Sequence, residues 1–284
     1  MTRLISEQVV NIPHTLNEYD EDLKRKTSYS LKEIAVLAVG TGAAIINPED
    51  YKVAVIPVAS GQGIISGFSE AVRAIAVYLG FNSYITEAAD LGGLIEAYQG
   101  NTDAIILADD FNYAAINLNN RKVADNTGAT AKGYVTALSK MAGGIKDKEV
   151  LLIGAGPVGM RAAENLCEAG AIPVIYDRDK RKEQVLAEGL KKKFHMGIKF
   201  GLSLGEILDR VTLIFDASPG RNLIKADQLS EKTMVAAPGL PLGFDQEALK
   251  IIEPRLIHDP LQLGTAVMLF DVFTKPFHQL YLEE

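Results

Sequence analysis

The chain has 284 residues, 48% of them hydrophobic and 23% charged, with a formal net charge of -7. That length holds sizeable α/β cores, and the acidic balance argues against a nucleic-acid or anionic-membrane partner. The lone cysteine, Cys167, excludes an internal disulfide, and the four histidines (His14, His195, His258, His278) lack metal-ligand spacing, so no metal site is expected.

No apolar stretch is long enough to cross a bilayer, and MTRLISEQVV lacks the apolar region of an export signal. A cytoplasmic enzyme is therefore expected. Residues 1 to about 42 read as helical, with Leu16, Leu23, Ile34, Leu37 and Ala38 on one apolar stripe. Ser30 is placed to cap the second helix, with Glu33 completing a capping box. From Tyr51 the pattern changes to strand, glycine turn and helix: YKVAVIPVASGQGIISGFSEAVRAIAVYLGF. Further strands are expected over 82–86 and 103–108, with a short helix over 92–98 between them. This half reads as a small parallel α/β layer with right-handed crossovers.

Within it, Gly67 follows Gly61-x-Gly63 one residue too late for a dinucleotide fingerprint. Ser60, Gly61, Gln62 and Gly63 instead offer N–H groups and a hydroxyl at a helix start, which suits one carboxylate. A plain tight turn accounts for the same residues. Asp109-Asp110 fall beyond the carboxyl end of a strand, where parallel sheets bind ligands. Asp125-Asn126 open a second loop. Each alone is a cap or turn former; with Ser60 they outline an acidic, hydrogen-bonding wall.

A helix over about 130–142, stopped by Gly143-Gly144, is read as the bridge between two domains, 1–128 and 129–284. The second domain opens on the strongest signal in the chain, KEVLLIGAGPVGMRAAENLCEAGAIPVIYD. Val150 to Ile153 reads as a strand buried on both faces. Gly154-x-Gly156-x-x-Gly159 follows, then a helix from about Val158 to Ala169, a strand from Pro173 to Tyr176, and Asp177. That is the order and spacing of a dinucleotide site. Gly154 permits the turn, Gly156 admits the pyrophosphate, and Gly159 lets the helix pack on the sheet. The helix N-terminus, with Pro157 and Val158 in its first turn, faces the phosphates. Asp177 can accept both ribose hydroxyls, which favours NAD over NADP, although Arg178 beside it can pair with a 2′-phosphate.

Downstream, RDKRKEQVLAEGLKKKF reads as a charged, solvated helix. A strand over 212–217 breaks at Ser218-Pro219-Gly220, which puts Ser218 and Pro219 beside the nicotinamide ribose. A strand over 234–237 ends in Pro238-Gly239, also assigned to the coenzyme. Leu256-Ile257 begins the last strand, and the apolar GTAVMLFDVF helix over 264–273 is expected to pack back across the domain junction. The tail to Glu284 carries no signal. The expected fold class is α/β: a C-terminal Rossmann-like doubly wound parallel sheet, preceded by a smaller α/β substrate domain with N-terminal helices.

The series VAVIPVASGQGIISGFSEAV, LGFNSYIT, AIILADD, VADNTG, VLLIGAGPVG, APGLP and DPLQLGTAVML spans roughly 52–270 in one order. It resembles the pyrrolysine-forming dehydrogenases, the last enzymes of pyrrolysine biosynthesis. The SGxGII and ADD stretches make the match specific; the N-terminal helices and the segment after Phe270 match weakly. The resemblance implies a substrate, the lysine derivative acylated on its side-chain nitrogen by 3-methyl-D-ornithine (methylornithyl-lysine). Its terminal CH₂–NH₂ carbon is oxidised with NAD, ammonia leaves, and the α-amine closes the pyrroline ring. Ser60 and Asn126 are then implied as substrate-positioning groups, with Gly61, Gly63 and Phe68 in the same subsite. Asp109 and Asp259 are implied as acidic partners of the amines, Asp259 standing where the family pattern carries a longer acid.

An alkyl ammonium has no lone pair to expel a hydride, and its pKa is about 10.4 in water. The site must favour the neutral amine, so both acids are assigned to binding and proton relay rather than to activation by charge. His258 is chemically suited to be the base, yet a histidine at a strand end is more often a satisfied core or surface residue. Two other readings remain open. An NADP-dependent dehydrogenase of the shikimate or methylene-tetrahydrofolate type expects a basic residue at 177 and a catalytic lysine in the first domain, where Lys52, Lys122 and Lys132 are the candidates. A non-catalytic NAD(H) sensor would bind coenzyme without turnover. Oligomeric state is left open, a homodimer included.

Overall fold

Two five-stranded sheets, linked through a pair of central helices, form the computed structural model, which describes residues 4–274. The first three residues of the helical reading, and the tail from 275, lie outside the described residues.

Four helices open the chain: α1 (Ser6–Val9), α2 (Ile12–Thr27), α3 (Leu31–Val39) and α4 (Thr41–Ala44). Ser30 and Glu33 form the expected reciprocal capping box at α3. The expected stripe holds only in part. Leu16, Leu23 and Ile34 are buried, whereas Leu37 is 43% exposed and Leu31 and Ala35 take the inner positions. Ser28, in the left-handed conformation, ends α2, and within α3 the inward arc runs through Leu31, Ile34 and Ala35, which leaves Leu37 outside it.

The first sheet comprises β1 (Lys52–Ile56), β2 (Asn82–Ile85), β3 (Ala104–Ala108), β4 (Tyr113–Asn117) and β5 (Val123–Asp125), in the order β2-β1-β3-β4-β5. Helices α5 (Phe68–Tyr78) and α6 (Asp90–Gln99) make the crossovers. The sheet is not the all-parallel layer expected from sequence: β1 runs parallel to β2 and β3, but β4 and β5 are antiparallel. The cause is local. Asp109 Oδ1 accepts the backbone N–H groups of Phe111 and Asn112 at 2.7 and 2.6 Å, and Asp109 N donates to Asn112 O, which closes a hairpin.

Next come α7 (Asn126–Met141), β6 (Glu149–Ile153), α8 (Pro157–Glu168), β7 (Ile172–Tyr176) and α9 (Lys180–Phe194). They are followed by α10 (Leu204–Leu208), β8 (Leu213–Asp216), β9 (Met234–Ala236), α11 (Gln246–Ile252), β10 (Leu256–Ile257) and α12 (Gln262–Phe273). Helix α7 begins earlier than its periodicity suggested because the Asp125 side chain caps it, accepting from Gly128 N at 2.8 Å. The second sheet, β10-β9-β8-β6-β7, is parallel throughout, in the Rossmann-like manner. Chain order reverses on either side of β6, which puts a topological switch point at its carboxyl end.

Eleven of the 12 residues of α12 are buried, as befits a helix apolar on all sides. It returns to the first half and packs on α3, α5, α7, β4 and β5. The Tyr113 hydroxyl meets Thr265 Oγ1 at 2.7 Å, and Asn117 Nδ2 donates to Val272 O at 3.3 Å. Among the described residues no helix is long and apolar enough to cross a membrane.

Candidate active site

A cavity of about 450 Å³ opens between the carboxyl ends of β1 and β3 and those of β6, β8 and β9. Its wall brings together Ser60, Gly63, Phe68, Asp109, Asn126 and Asp259 with Gly156, Pro157, Val158, Ser218, Pro219, Pro238 and Gly239. Gly61, Gly154, Gly159, Asp177, Arg178 and His258 lie off this wall.

On the second-sheet side the glycines behave as their spacing requires. Gly154 turns with φ +95°. A Cβ on Gly159 would overlap the Gly154 carbonyl and lie 3.7 Å from Ala217 Cβ, so only glycine lets α8 sit this close to the sheet. A Cβ on Gly156 would meet nothing within 4 Å, so the helix N-terminus faces open space. Asp177, at the end of β7, accepts Ala155 N at 2.7 Å and Asp179 N at 2.8 Å, and its carboxylate thereby braces the glycine loop. Unpaired first-turn N–H groups, open space before Gly156 and a carboxylate at the next strand end fit a dinucleotide.

On the first-sheet side, one expectation is corrected. The Ser60–Gly63 loop is not at a helix start, since α5 begins at Phe68. Two of its N–H groups, with that of Ala59 before it, already serve this chain's own carboxylates. Ala59 N and Ser60 N donate to Asp90 Oδ1 at 3.0 and 3.4 Å, and Gln62 N donates to Asp110 Oδ2 at 3.0 Å. Toward the cavity stand Ser60 and Gly63, followed by the apolar Ile64, Ile65 and Phe68. Asn126 stands in the first turn of α7, where Gly264 lets α12 approach: a Cβ there would lie 2.6 Å from Asn126 Oδ1.

The acids differ sharply in their surroundings. Asp109 is exposed, and the backbone N–H groups of Phe111 and Asn112 hold its carboxyl below the usual carboxylate range. Asp259 is buried, and its Oδ2 accepts the hydroxyls of Tyr19 and Tyr134, both at 2.8 Å. Its Oδ1 accepts Leu261 N and Leu263 N, both at 3.1 Å, at the start of α12. Burial and then the Asp259 charge push both phenols well above their ordinary value.

Sequence reasoning missed Tyr19 and Tyr134, and no local pattern announces them. It also missed Asp216, buried at the end of β8, whose Oδ1 accepts Ser218 N at 3.0 Å and Ser218 Oγ at 2.7 Å. Desolvation raises the Asp216 carboxyl, opposed by hydrogen bonds from Ser218 and Gly243 and by nearby His258. The Asp-x-Ser spacing, typical of a side-chain turn, was the signal for it. His258 Nδ1 lies 2.6 Å from Ala237 O. Among the described residues no lysine lines the cavity: Lys52 bonds Gly100 O, Lys122 pairs with Asp271, and Lys132 faces a separate groove.

A family profile described as "Pyrrolysine biosynthesis protein PylD, N-terminal domain" matches residues 8–124, and one described as "Shikimate / quinate 5-dehydrogenase" matches residues 136–272. Pyrrolysine synthase of Methanosarcina acetivorans is 32% identical over 272 residues, covering 96% of this chain and 100% of that protein. The Methanosarcina barkeri pyrrolysine synthase is 33% identical over 272 residues, covering 96% and 98%. Among solved structures, Aquifex aeolicus shikimate dehydrogenase aligns with a TM-score of 0.50 at 18% identity, over 80% of this chain and 91% of that one. Quinate dehydrogenase from Corynebacterium glutamicum, in complex with NAD, aligns at 0.51 and 13% identity, over 82% and 99%. At such identities these structures speak to the fold alone. The sequence relatives speak to more: over nearly its whole length, this chain belongs to the pyrrolysine synthase family.

Proposed function

We propose that this chain catalyses the NAD-dependent oxidation of the terminal amine carbon of (3R)-3-methyl-D-ornithyl-N6-L-lysine, with loss of ammonia and ring closure to L-pyrrolysine. Family membership and the dehydrogenase fold give it a dehydrogenase role in pyrrolysine biosynthesis. One observation carries the finer reading: the cavity wall that joins the glycine loop to Ser60, Asp109, Asn126 and Asp259.

The glycine loop and the first-turn N–H groups of α8 would hold the pyrophosphate, and Asp177 the adenosine ribose. Ser218, Pro219, Pro238 and Gly239 would flank the nicotinamide half. When bound, the nicotinamide accepts a hydride from the amine-bearing carbon. Asp109, held ionised by its turn, binds the substrate's ammonium groups and is too weak a base to deprotonate them. The apolar lining of Ile64, Ile65, Phe68 and Val158 disfavours a charged amine at the reacting carbon. Ser60 and Asn126 orient the polar ends of the substrate. Oxidation of the CH₂–NH₂ carbon leaves an iminium, the α-amine attacks it, and departure of ammonia forms the ring C=N. The balance is loss of NH₃ and two hydrogens, one as hydride and one as a proton. A carboxylate at 177 favours NAD, because a 2′-phosphate would be repelled there.

Among the described residues the cavity wall carries no lysine and the acid Asp177 stands at the end of β7, which ranks a shikimate-type mechanism second. The test incubates the purified protein with methylornithyl-lysine and NAD⁺ or NADP⁺, and follows NADH absorbance and product mass. Pyrrolysine with stoichiometric NADH is expected. Coenzyme binding without substrate-dependent reduction would favour a sensor, and turnover with NADP⁺ alone would overturn the NAD assignment.

A further inference from the structure

Ser218 reaches the cavity at the end of β8, and its hydroxyl is not free to turn. Its Oγ donates to Asp216 Oδ1 at 2.7 Å, and its own backbone N–H donates to the same oxygen at 3.0 Å. Asp216 is 1% exposed and lies behind the cavity wall, not in it. Gly243 closes the far side, since a Cβ there would lie 2.5 Å from Asp216 Oδ2. Gly239 N donates to Asp216 O at 3.2 Å, tying the next turn to the same strand end. A serine hydroxyl has one proton and two acceptor sites. With the proton committed to Asp216 and Gly220 N at 3.4 Å, Oγ meets the cavity as an acceptor.

Burying a carboxylate is costly, and a turn does not need it. Asp109 and Asp179 accept backbone N–H groups in the same local way at the surface, where desolvation is slight. Asp216 does so in the interior and adds a side-chain hydroxyl that the other two lack.

We infer that Asp216 is a positioning residue that fixes Ser218 as an acceptor for a hydrogen-bond donor on the nicotinamide half of the coenzyme, either a ribose O–H or the carboxamide N–H. This rests on the reading that the nicotinamide end lies along Ser218 and Gly239. An asparagine at 216 would turn its NH₂ toward one of the groups that now donate to the carboxylate. Facing Ser218 Oγ, it would send the serine proton into the cavity, donor against donor.

The experiment measures dissociation constants of NAD⁺ and of ADP-ribose by calorimetry on the full chain, for wild type, Ser218→Ala, Asp216→Asn and the double variant. Thermal midpoints are read in parallel. Ser218→Ala is expected to weaken NAD⁺ about five- to tenfold. Asp216→Asn is expected to weaken it similarly but to add nothing in the Ser218→Ala background, because it acts through that hydroxyl. An equal loss for ADP-ribose identifies the ribose as the donor; an unaffected ADP-ribose identifies the carboxamide. Unchanged NAD⁺ affinity in Ser218→Ala, or additive losses in the double variant, would overturn the inference while leaving the coenzyme reading intact. A folded wild type that binds neither ligand would remove that reading and this inference with it.

Discussion

Asp259→Ala is expected to cost the fold about 2–6 kcal/mol, the loss for leaving two buried donors without an acceptor. The magnitude follows from the donors around the carboxylate. Oδ2 takes the hydroxyls of Tyr19 and Tyr134, and Oδ1 takes the N–H groups of Leu261 and Leu263. In the alanine variant Tyr134 keeps the Asp259 carbonyl at 2.8 Å, and Leu261 N keeps Gln262 Oε1 at 3.2 Å. The Tyr19 hydroxyl and Leu263 N are left without acceptors, at about 1–3 kcal/mol each when buried. Asp259→Asn keeps Oδ1 for the two N–H groups and presents NH₂ to phenols that can rotate to accept it, so about 1–2 kcal/mol is expected. Urea unfolding reads both as shifts in midpoint at constant slope. If the alanine variant stayed within about 0.5 kcal/mol of wild type, or the asparagine variant fell as far as the alanine one, the carboxylate would not be the anchor described.

Asp177→Ala should weaken NAD⁺ by about 1–3 kcal/mol through lost charge-assisted hydrogen bonds, measured by calorimetry; unchanged affinity would remove Asp177 from the site. Asp109→Asn keeps an oxygen for Phe111 N and Asn112 N, so it deletes charge and spares the hairpin. Its kcat/KM for methylornithyl-lysine should fall about tenfold or more, with NAD⁺ affinity and Tm unchanged; parallel loss of all three would mean damaged structure. Tyr19 and Tyr134 are raised well above 10, so the folded state keeps both protons where the unfolded chain loses them. Their contribution is therefore complete below about pH 10 and lost as pH climbs through the raised folded values. Urea midpoints taken across that range should fall, and Tyr19→Phe should flatten the fall; an unchanged slope would count against the tyrosine assignment.

Legibility in the sequence tracked how local the deciding interactions were. The β6–α8–β7 unit was readable because its glycines, apolar strand and terminal acid are contiguous, each with a steric or electrostatic reason to be where it is. The Ser30–Glu33 box was readable for the same reason. Strands β4 and β5 were not. Tyr113–Asn117 has only two large apolar residues, and its alternating burial depends on α12, about 150 residues later. The stripe through Leu37 failed within α3 itself, where Leu31, Ile34 and Ala35 set the inward arc and Leu37 falls outside it.

The site shows the limit more sharply, because four aspartates near strand ends look alike in the sequence and do different things. Asp177 braces a loop beside the glycine turn, and Asp216 orients a hydroxyl from behind the wall. Asp259 gathers a tyrosine 240 residues before it and another 125 before it, so its surroundings exist only after folding. Asp109 closes a turn with Oδ1, and among the described residues no hydrogen bond reaches its Oδ2. Position brings all four to the carboxyl ends of strands; the count of donors already satisfied decides which can take another. By that count Asp109 can accept a substrate ammonium as it stands. Asp259 can do so only if Tyr19 or Tyr134 lets go of Oδ2, so any contact it makes with a substrate amine must be coupled to the helices that carry those tyrosines, α2 and α7.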